Sequence, residues 1–103
     1  KKSIMNIKEK ILVFTLSKDN DFKNIKIGSN VNYFIADLSN VEIDVINRVK
    51  DKFITFDSKI SKMKGSFVIV SQFSFDDNLT IVPSLQEAYD YIEMEEMERQ
   101  LNL

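Results

Sequence analysis

The sequence predicts an α/β protein (α+β-like), a mixed sheet of four to five strands with helices packed on it. Three observations carry this prediction. Two apolar runs, Tyr33–Leu38 and Ser66–Val70, are hardly interrupted, which is typical of strands that are buried on both faces. The segment between them has the apolar periodicity of a helix. Two strands joined by a helix of this length are normally parallel neighbours in one sheet.

The helix between these strands has one apolar side. Its apolar residues step by three and four positions and predict the side that packs on the sheet: Ile46, Val49, Phe53, Phe56, Ile60 and Met63. Gly65 follows the last of them, which predicts a left-handed helix end. Two starts remain open, because Ser39 and Glu42 have the spacing of a capping box and Asp44 is an equally good N-cap.

The remaining segments complete the predicted order, β-β-(short α)-β-α-β-β-α. Ser3–Ile7 and Ile11–Leu16 favour strands and are joined by charged residues, which predicts a hairpin. Ser17–Asn30 is polar, and its Asp19–Asp21 could either initiate a turn or cap a short helix. Leu79–Val82 predicts a short strand, which Pro83 ends because proline cannot donate to a ladder. The whole chain, residues 1–103, is predicted to form a single domain.

The last helix has two apolar sides. Ser84 and Glu87 have capping-box spacing at its start. One side consists of Leu85, Ala88 and Ile92, with Tyr89 beside them, and the other of Met94, Met97 and Leu101. A straight helix cannot bury both sides against one sheet. Either the helix bends near Glu93 and its tail folds back on the domain, or the tail offers its methionines to another molecule. Methionine is flexible and suits adaptable binding surfaces.

Composition excludes several classes of partner and location. The net charge is −2, whereas proteins that bind nucleic acid through phosphates usually carry a basic surface. The chain has no cysteine and therefore no disulfide framework. No apolar run approaches the roughly 20 residues that cross a bilayer, and the first residues lack the apolar core of a signal peptide. We therefore expect a cytoplasmic protein that binds neither nucleic acid nor membrane.

The sequence also favours a protein without catalytic residues, cofactor or metal. It has no histidine, the commonest acid–base and metal-binding side chain. Gly28 and Gly65 are isolated, so no phosphate-binding loop is present. Asp76 and Asp77 are adjacent, which favours a turn over an acid–base pair. A solvated acidic face is favoured over a cation site for the carboxylates around the methionines, which are Glu93, Glu95, Glu96 and Glu98.

Several motifs resemble the STAS domain, the fold of bacterial anti-sigma-factor antagonists. Asp37–Val41, Asp-Leu-Ser-Asn-Val, resembles the family's Asp-Leu-Ser-x-Val at the end of its central strand. Ser66–Val70 resembles the strand after the family's main helix, and Leu79–Ala88 resembles its last strand and the start of its last helix. Glu93–Arg99 is similar to the tail of a group of small STAS-like bacterial proteins. The resemblance implies a non-enzymatic regulator that binds a protein partner, such as an anti-sigma-like kinase.

The chain departs from that family at the start of the main helix. The family has Asp-Ser-Ser-Gly there, and a serine of that motif is phosphorylated. Asp44–Arg48 occupies this place here and contains neither serine nor threonine, and Ser39 lies too early to match. The resemblance therefore implies partner binding without the phosphorylation switch.

Two surfaces are predicted to bind the partner. The first consists of Asp37, Ser39, Asn40, Glu42, Asp44, Asn47 and Arg48, and the second of Met94, Met97 and Leu101. Asp37 has an alternative role, which is to cap the loop that follows it. The alternative function is a structural protein that assembles into a homodimer or larger oligomer through its last helix. A third interpretation is a small-molecule site at the carboxyl edge of the sheet.

Overall fold

The described residues form one parallel sheet with a helix on each face. The structure, a computed structural model, describes residues 11–15 and 32–101. The strands β1 (Ile11–Phe14), β2 (Tyr33–Asp37), β3 (Ser66–Val70) and β4 (Ile81–Val82) lie side by side in chain order, and each neighbouring pair is parallel. Helix α1 (Ile43–Lys62) joins β2 to β3, and α2 (Leu85–Leu101) follows β4. The predicted α/β class is confirmed.

Two parts of the predicted order cannot be compared with the structure. The first strand of the hairpin, Ser3–Ile7, and the short helix within Ser17–Asn30 lie outside the described residues. The described strands are all parallel, so the antiparallel part of the predicted mixed sheet depends on that first segment alone.

The centre of the sheet is the pair of strands that the sequence predicts. β2 and β3 are in register from Tyr33 beside Ser66 to Asp37 beside Val70. Every residue of β3 is buried, as the uninterrupted apolar run predicts. β4 pairs only with Ile69 and Val70, so among the described strands the first half of β3 has a neighbour on one side only.

Alternate residues of the central strands pack against different helices. Phe34 and Phe67 belong to the core under α1, whereas Ile35 and Val68 belong to the core under α2. The buried α1 residues are Ile46, Val49, Phe53, Phe56 and Ile60, which confirms the predicted stripe, and Met63 at its end is partly buried. The core under α1 is rich in phenylalanine: the ring of Phe56 lies edge-on to those of Phe34 and Phe67, with centroids 5.2 and 4.9 Å away.

The start of α1 differs from both predicted caps. Glu42 is the N-cap, and its carbonyl accepts hydrogen bonds from Val45 N and Ile46 N, whereas its side chain makes no capping bond. Ser39 does not cap the helix because its hydroxyl donates instead to Asp37 Oδ1, at 2.8 Å. Asp44 lies inside the first turn, where a carboxylate still interacts favourably with the positive end of the helix dipole.

The end of α1 also corrects the sequence prediction, because Lys64 rather than Gly65 takes the left-handed conformation, with φ of 61°. Gly65 is required for a different reason. A β-carbon at Gly65 would lie 2.1 Å from the carbonyl oxygen of Asn32 and 3.0 Å from Ile60 Cγ2. The chain therefore needs a residue without a side chain where it passes from α1 into β3.

The start of α2 agrees with the sequence. Ser84 Oγ accepts a hydrogen bond from Glu87 N at 3.2 Å, which is the bond that the serine of a capping box makes. Ala88 and Ile92 are fully buried, and Leu85 and Tyr89 pack beside them against the sheet.

Candidate functional site

Asp37 stands at the carboxyl end of β2 and holds the loop that leads to α1. Its Oδ1 accepts hydrogen bonds from Ser39 N at 3.1 Å and from the Ser39 hydroxyl. Leu38 N donates to Val70 O across the edge of the sheet, at 2.8 Å. These contacts confirm the loop-capping role for Asp37, since one carboxylate oxygen is occupied by the turn.

The rest of the first predicted surface lies along this loop and the first turns of α1. The structure leaves the side chains exposed at Ser39, Asn40, Glu42, Asp44, Asn47 and Arg48. Arg48 Nε donates to Asp44 O on the same helix at 3.4 Å, which is at the long end of hydrogen-bond distances. The segment therefore presents six exposed polar side chains along the loop at the carboxyl edge and the first turns of α1.

A second loop, residues 71–80, borders this surface. Asp76 Oδ1 accepts a hydrogen bond from Asn78 N at 2.8 Å, and its other oxygen lies 3.6 Å from Lys50 Nζ on α1. Asp76 therefore forms a turn, as the sequence favours, and ties the loop to the helix. Phe73 in the same loop is 42% exposed, and the sequence reasoning did not single it out.

The described strands do not form the strand-order reversal that opens a ligand-binding crevice in many α/β proteins. Such a crevice opens where the strand order of the sheet reverses and neighbouring connections leave in opposite directions. The four described strands follow chain order without a reversal. Among the described residues, no three acidic side chains are grouped so that they could hold a metal ion.

The second predicted surface belongs to a helix that is held to the sheet by polar contacts. Beyond Ile92, α2 passes the start of β3 and turns Glu95, Glu96 and Arg99 toward it. Glu95 Oε1 accepts a hydrogen bond from the buried hydroxyl of Ser66 at 2.5 Å. Glu96 accepts one from the hydroxyl of Tyr33. Both carboxylates were predicted to be solvated, and the structure shows them partly buried and bonded instead.

Arg99 completes this inward side. Its Nη2 donates to Gly65 O at 2.9 Å and to Ser66 Oγ at 3.1 Å, and its guanidinium lies 5.9 Å from the centre of the Tyr33 ring. Glu95 Oε1 is 3.9 Å away on the preceding turn. An arginine in the last turn also suits the negative end of the helix dipole. We call Tyr33, Ser66, Glu95, Glu96 and Arg99 the polar clamp.

The carboxyl of Asp57 on α1 is influenced by the negative charge of Glu95 in the polar clamp. Burial raises the pKa of the Asp57 carboxyl above its ordinary value of 3.8, and the negative charge of Glu95 raises this pKa further. The folded state therefore holds the proton more tightly than the unfolded state. The free energy of unfolding is therefore least affected by Asp57 below pH 3.8, and it falls as the pH rises through the raised pKa. At neutral pH the ionised carboxylate opposes folding.

We expect Asp57→Asn to stabilise the protein at neutral pH, with a gain that shrinks as the pH falls toward 3.8. The gain stays below about 1 kcal/mol because solvent screens a partly exposed carboxyl. Urea unfolding of both proteins from acid to neutral pH measures the difference in unfolding free energy. Asp51→Asn, at an exposed position of the same helix, is the control and should change stability less. A loss of stability at neutral pH, or a gain independent of pH, contradicts this account.

The opposite side of α2 faces away from the sheet. Met94, Met97 and Leu101 are 64%, 61% and 81% exposed, the three largest exposures among the large apolar side chains described. Four exposed carboxylates lie on the same side, at Glu87, Asp90, Glu93 and Glu98. We call these seven residues the outer face of α2.

The position of the tail combines the two alternatives that the sequence leaves open. α2 is a single helix to Leu101, and its end remains on the domain through Arg99, as the folded-back alternative requires. The methionines nevertheless face outward, as the projecting alternative requires. Each alternative is met only in part, because polar residues attach the tail to the domain and the methionines stay exposed.

Comparisons with known proteins do not identify a relative. No protein-family model, curated protein or solved structure matches the chain. In the part of the chain that the structure describes, neither helix is long and apolar enough to cross a bilayer.

Proposed function

We propose that the chain is a non-enzymatic, STAS-like regulatory module that acts by binding a protein partner. The outer face of α2 carries this proposal. Large apolar side chains that stay exposed on a helix fixed from its other side form a surface suited to another protein. Met94 and Met97 are flexible and polarizable, which suits the adaptable packing of a docking surface.

The polar surface from Ser39 to Arg48 supports the same function in a second place. It follows the Asp-Leu-Ser-Asn-Val motif that resembles the STAS family, and its side chains are exposed at the carboxyl edge. The family's phosphorylated serine has no counterpart there, so this regulator works without that switch.

Self-assembly through α2 is the second candidate function. The exposure of Met94, Met97 and Leu101 favours it, because a second copy of the helix could cover them. The carboxylates of the outer face oppose it, since a symmetric pair would bring like charges together.

Site-specific cross-linking tests these proposals. A photoreactive amino acid at Met97, and separately at Asn40, is expected to capture a protein in the native host cells, identified by mass spectrometry. The control position is Thr55, which is exposed on α1 about 10 Å along the helix from Arg48, the last residue of the first surface. Adducts with another copy of the chain indicate self-assembly. Adducts at neither position above the Thr55 background, with a monodisperse monomer in solution, overturn both.

Met97→Glu is expected to reduce recovery of the captured partner about tenfold, because it removes a side chain that the complex buries. Stability should change by less than about 0.5 kcal/mol, since Met97 is 61% exposed. Quantitative recovery and urea unfolding of the same variant separate the two effects, with Thr55→Glu as the matched control. Recovery equal to that of the control would place the contact elsewhere.

A further inference from the structure

We infer that the outer face of α2 docks a basic amphipathic helix. This inference rests on the proposed protein-binding function and names the chemistry of the partner. It depends on the spacing of the apolar side chains, on the charges around them, and on the direction in which Arg99 points.

The apolar side chains have the spacing of a helix-packing seam. Met94, Met97 and Leu101 follow one another at intervals of three and four residues, so they form one stripe along the helix. The stripe is roughly 10 Å long, at 1.5 Å per residue. A second helix with apolar residues at the same intervals can pack its side chains between them.

Among the described residues of α2, the charged side chains beside the stripe are all negative. Glu93 and Glu98 lie beside it, and Glu87 and Asp90 continue the same side toward the start of the helix. Arg99 is the single cation in the sequence of α2, and it points toward the sheet, where Nη2 donates to Gly65 O and Ser66 Oγ. The outer face therefore presents apolar contacts among carboxylates, and charge complementarity requires a partner with lysine or arginine beside its own apolar stripe.

These charges disfavour two other occupants. A second copy of α2 would place glutamates against glutamates, and Arg99 could reach them only by leaving the polar clamp. An anionic membrane surface attracts basic helices and repels this acidic one. A basic helix from another protein matches both the spacing of the apolar stripe and the negative charge beside it.

Peptide binding tests the inference directly. The probe is a labelled synthetic helix of about five turns, with leucine at intervals of three and four residues and lysine elsewhere. Fluorescence anisotropy is expected to give a Kd on the order of 10 µM at moderate salt. A scrambled peptide of identical composition has the same charge but no stripe, and it should bind at least about tenfold more weakly. An acidic peptide with the same leucine spacing should not bind.

Met97→Glu separates docking from simple charge attraction. The substitution adds a negative charge, so attraction alone would tighten the binding of a lysine-rich peptide. Docking on the stripe predicts a loss of about tenfold instead, because a buried apolar contact is removed. Thr55→Glu adds the same charge on α1 and should leave the Kd unchanged. Equal binding of the scrambled peptide, or unchanged binding by Met97→Glu, overturns the inference.

The outcomes also distinguish this inference from the function on which it rests. A partner captured at position 97 through an acidic or extended segment overturns the basic helix and leaves protein binding standing. A concentration-dependent dimer that Met97→Glu dissolves assigns the face to a second copy, and the inference then fails. The absence of any captured protein removes the proposed function itself.

Discussion

Replacing Phe53 with alanine is expected to destabilise the protein by about 3–5 kcal/mol, the range found when a buried phenylalanine is truncated. Phe53 is fully buried on the sheet side of α1. Its ring centroid lies 6.4 Å from that of Phe67 and 6.1 Å from that of Phe75, so the substitution leaves a cavity between the helix, the sheet and the loop that follows β3. Domains of this size have total stabilities of about 5–15 kcal/mol, so much of the margin would be lost.

Urea unfolding followed by circular dichroism measures this effect. Phe73→Ala is the matched control, because it removes the same ring from a position that is 42% exposed. It should cost less than about 1 kcal/mol, since much of that ring already contacts solvent. Equal losses for the two variants would mean that Phe53 is not part of a packed core.

Replacing Gly65 with alanine is expected to cost about 2–4 kcal/mol, through overpacking that the backbone cannot relieve. The added β-carbon would lie 2.1 Å from Asn32 O. That carbonyl accepts a hydrogen bond from Ser66 N at 3.0 Å, so relief of the clash would disturb the chain where β3 begins beside β2. Gly65 O also accepts a hydrogen bond from Arg99, and a shift there would loosen the polar clamp.

The neighbouring residue supplies the control. Lys64→Gly is expected to stabilise the protein or leave it unchanged, because Lys64 adopts φ of 61°, where a side chain costs about 1–2 kcal/mol and glycine does not. The entropy that glycine adds to the unfolded chain offsets part of this gain. Thermal and urea unfolding of both variants give the two signs. A Gly65→Ala protein as stable as the parent would contradict the close approach to Asn32.

Most of the fold follows from local sequence patterns. The uninterrupted apolar strands and the helix between them predict two parallel neighbours buried on both faces, and the structure shows β2 and β3 in that arrangement. The stripe from Ile46 to Ile60 predicts the side of α1 that is buried. Periodicity succeeds here because burial of apolar side chains drives both the helix and its packing.

The details that sequence reasoning missed depend on contacts between distant segments. Ser39 has capping-box spacing, but its hydroxyl donates to Asp37. The N-cap is Glu42 instead, and only its backbone carbonyl takes part in the first hydrogen bonds of the helix. Gly65 looks like a helix stop, but its neighbour Lys64 takes the left-handed conformation. Spacing along the chain identifies candidate partners, and it does not show which of them the fold brings within reach.

The candidate site was predicted in part. Periodicity placed Met94, Met97 and Leu101 opposite the buried residues of α2, and they are exposed. It could not show that Glu95 and Glu96 would bond to Ser66 and Tyr33, since those residues lie on different strands. One signal was available: Ser66 begins a strand that is predicted to be buried, and a buried hydroxyl normally needs a hydrogen-bond partner.

The sequence by itself determined the two central strands, the buried side of each helix and the methionine stripe, because all of these follow from the spacing of apolar residues. The tertiary structure alone decided how the end of α2 is attached and which way its charges point. Two strand residues, Tyr33 and Ser66, and Gly65 just before β3 accept or donate the hydrogen bonds of the polar side of that helix. Hydrogen bonds are directional and join residues far apart in the chain, so their pairing appears only once the sheet has formed.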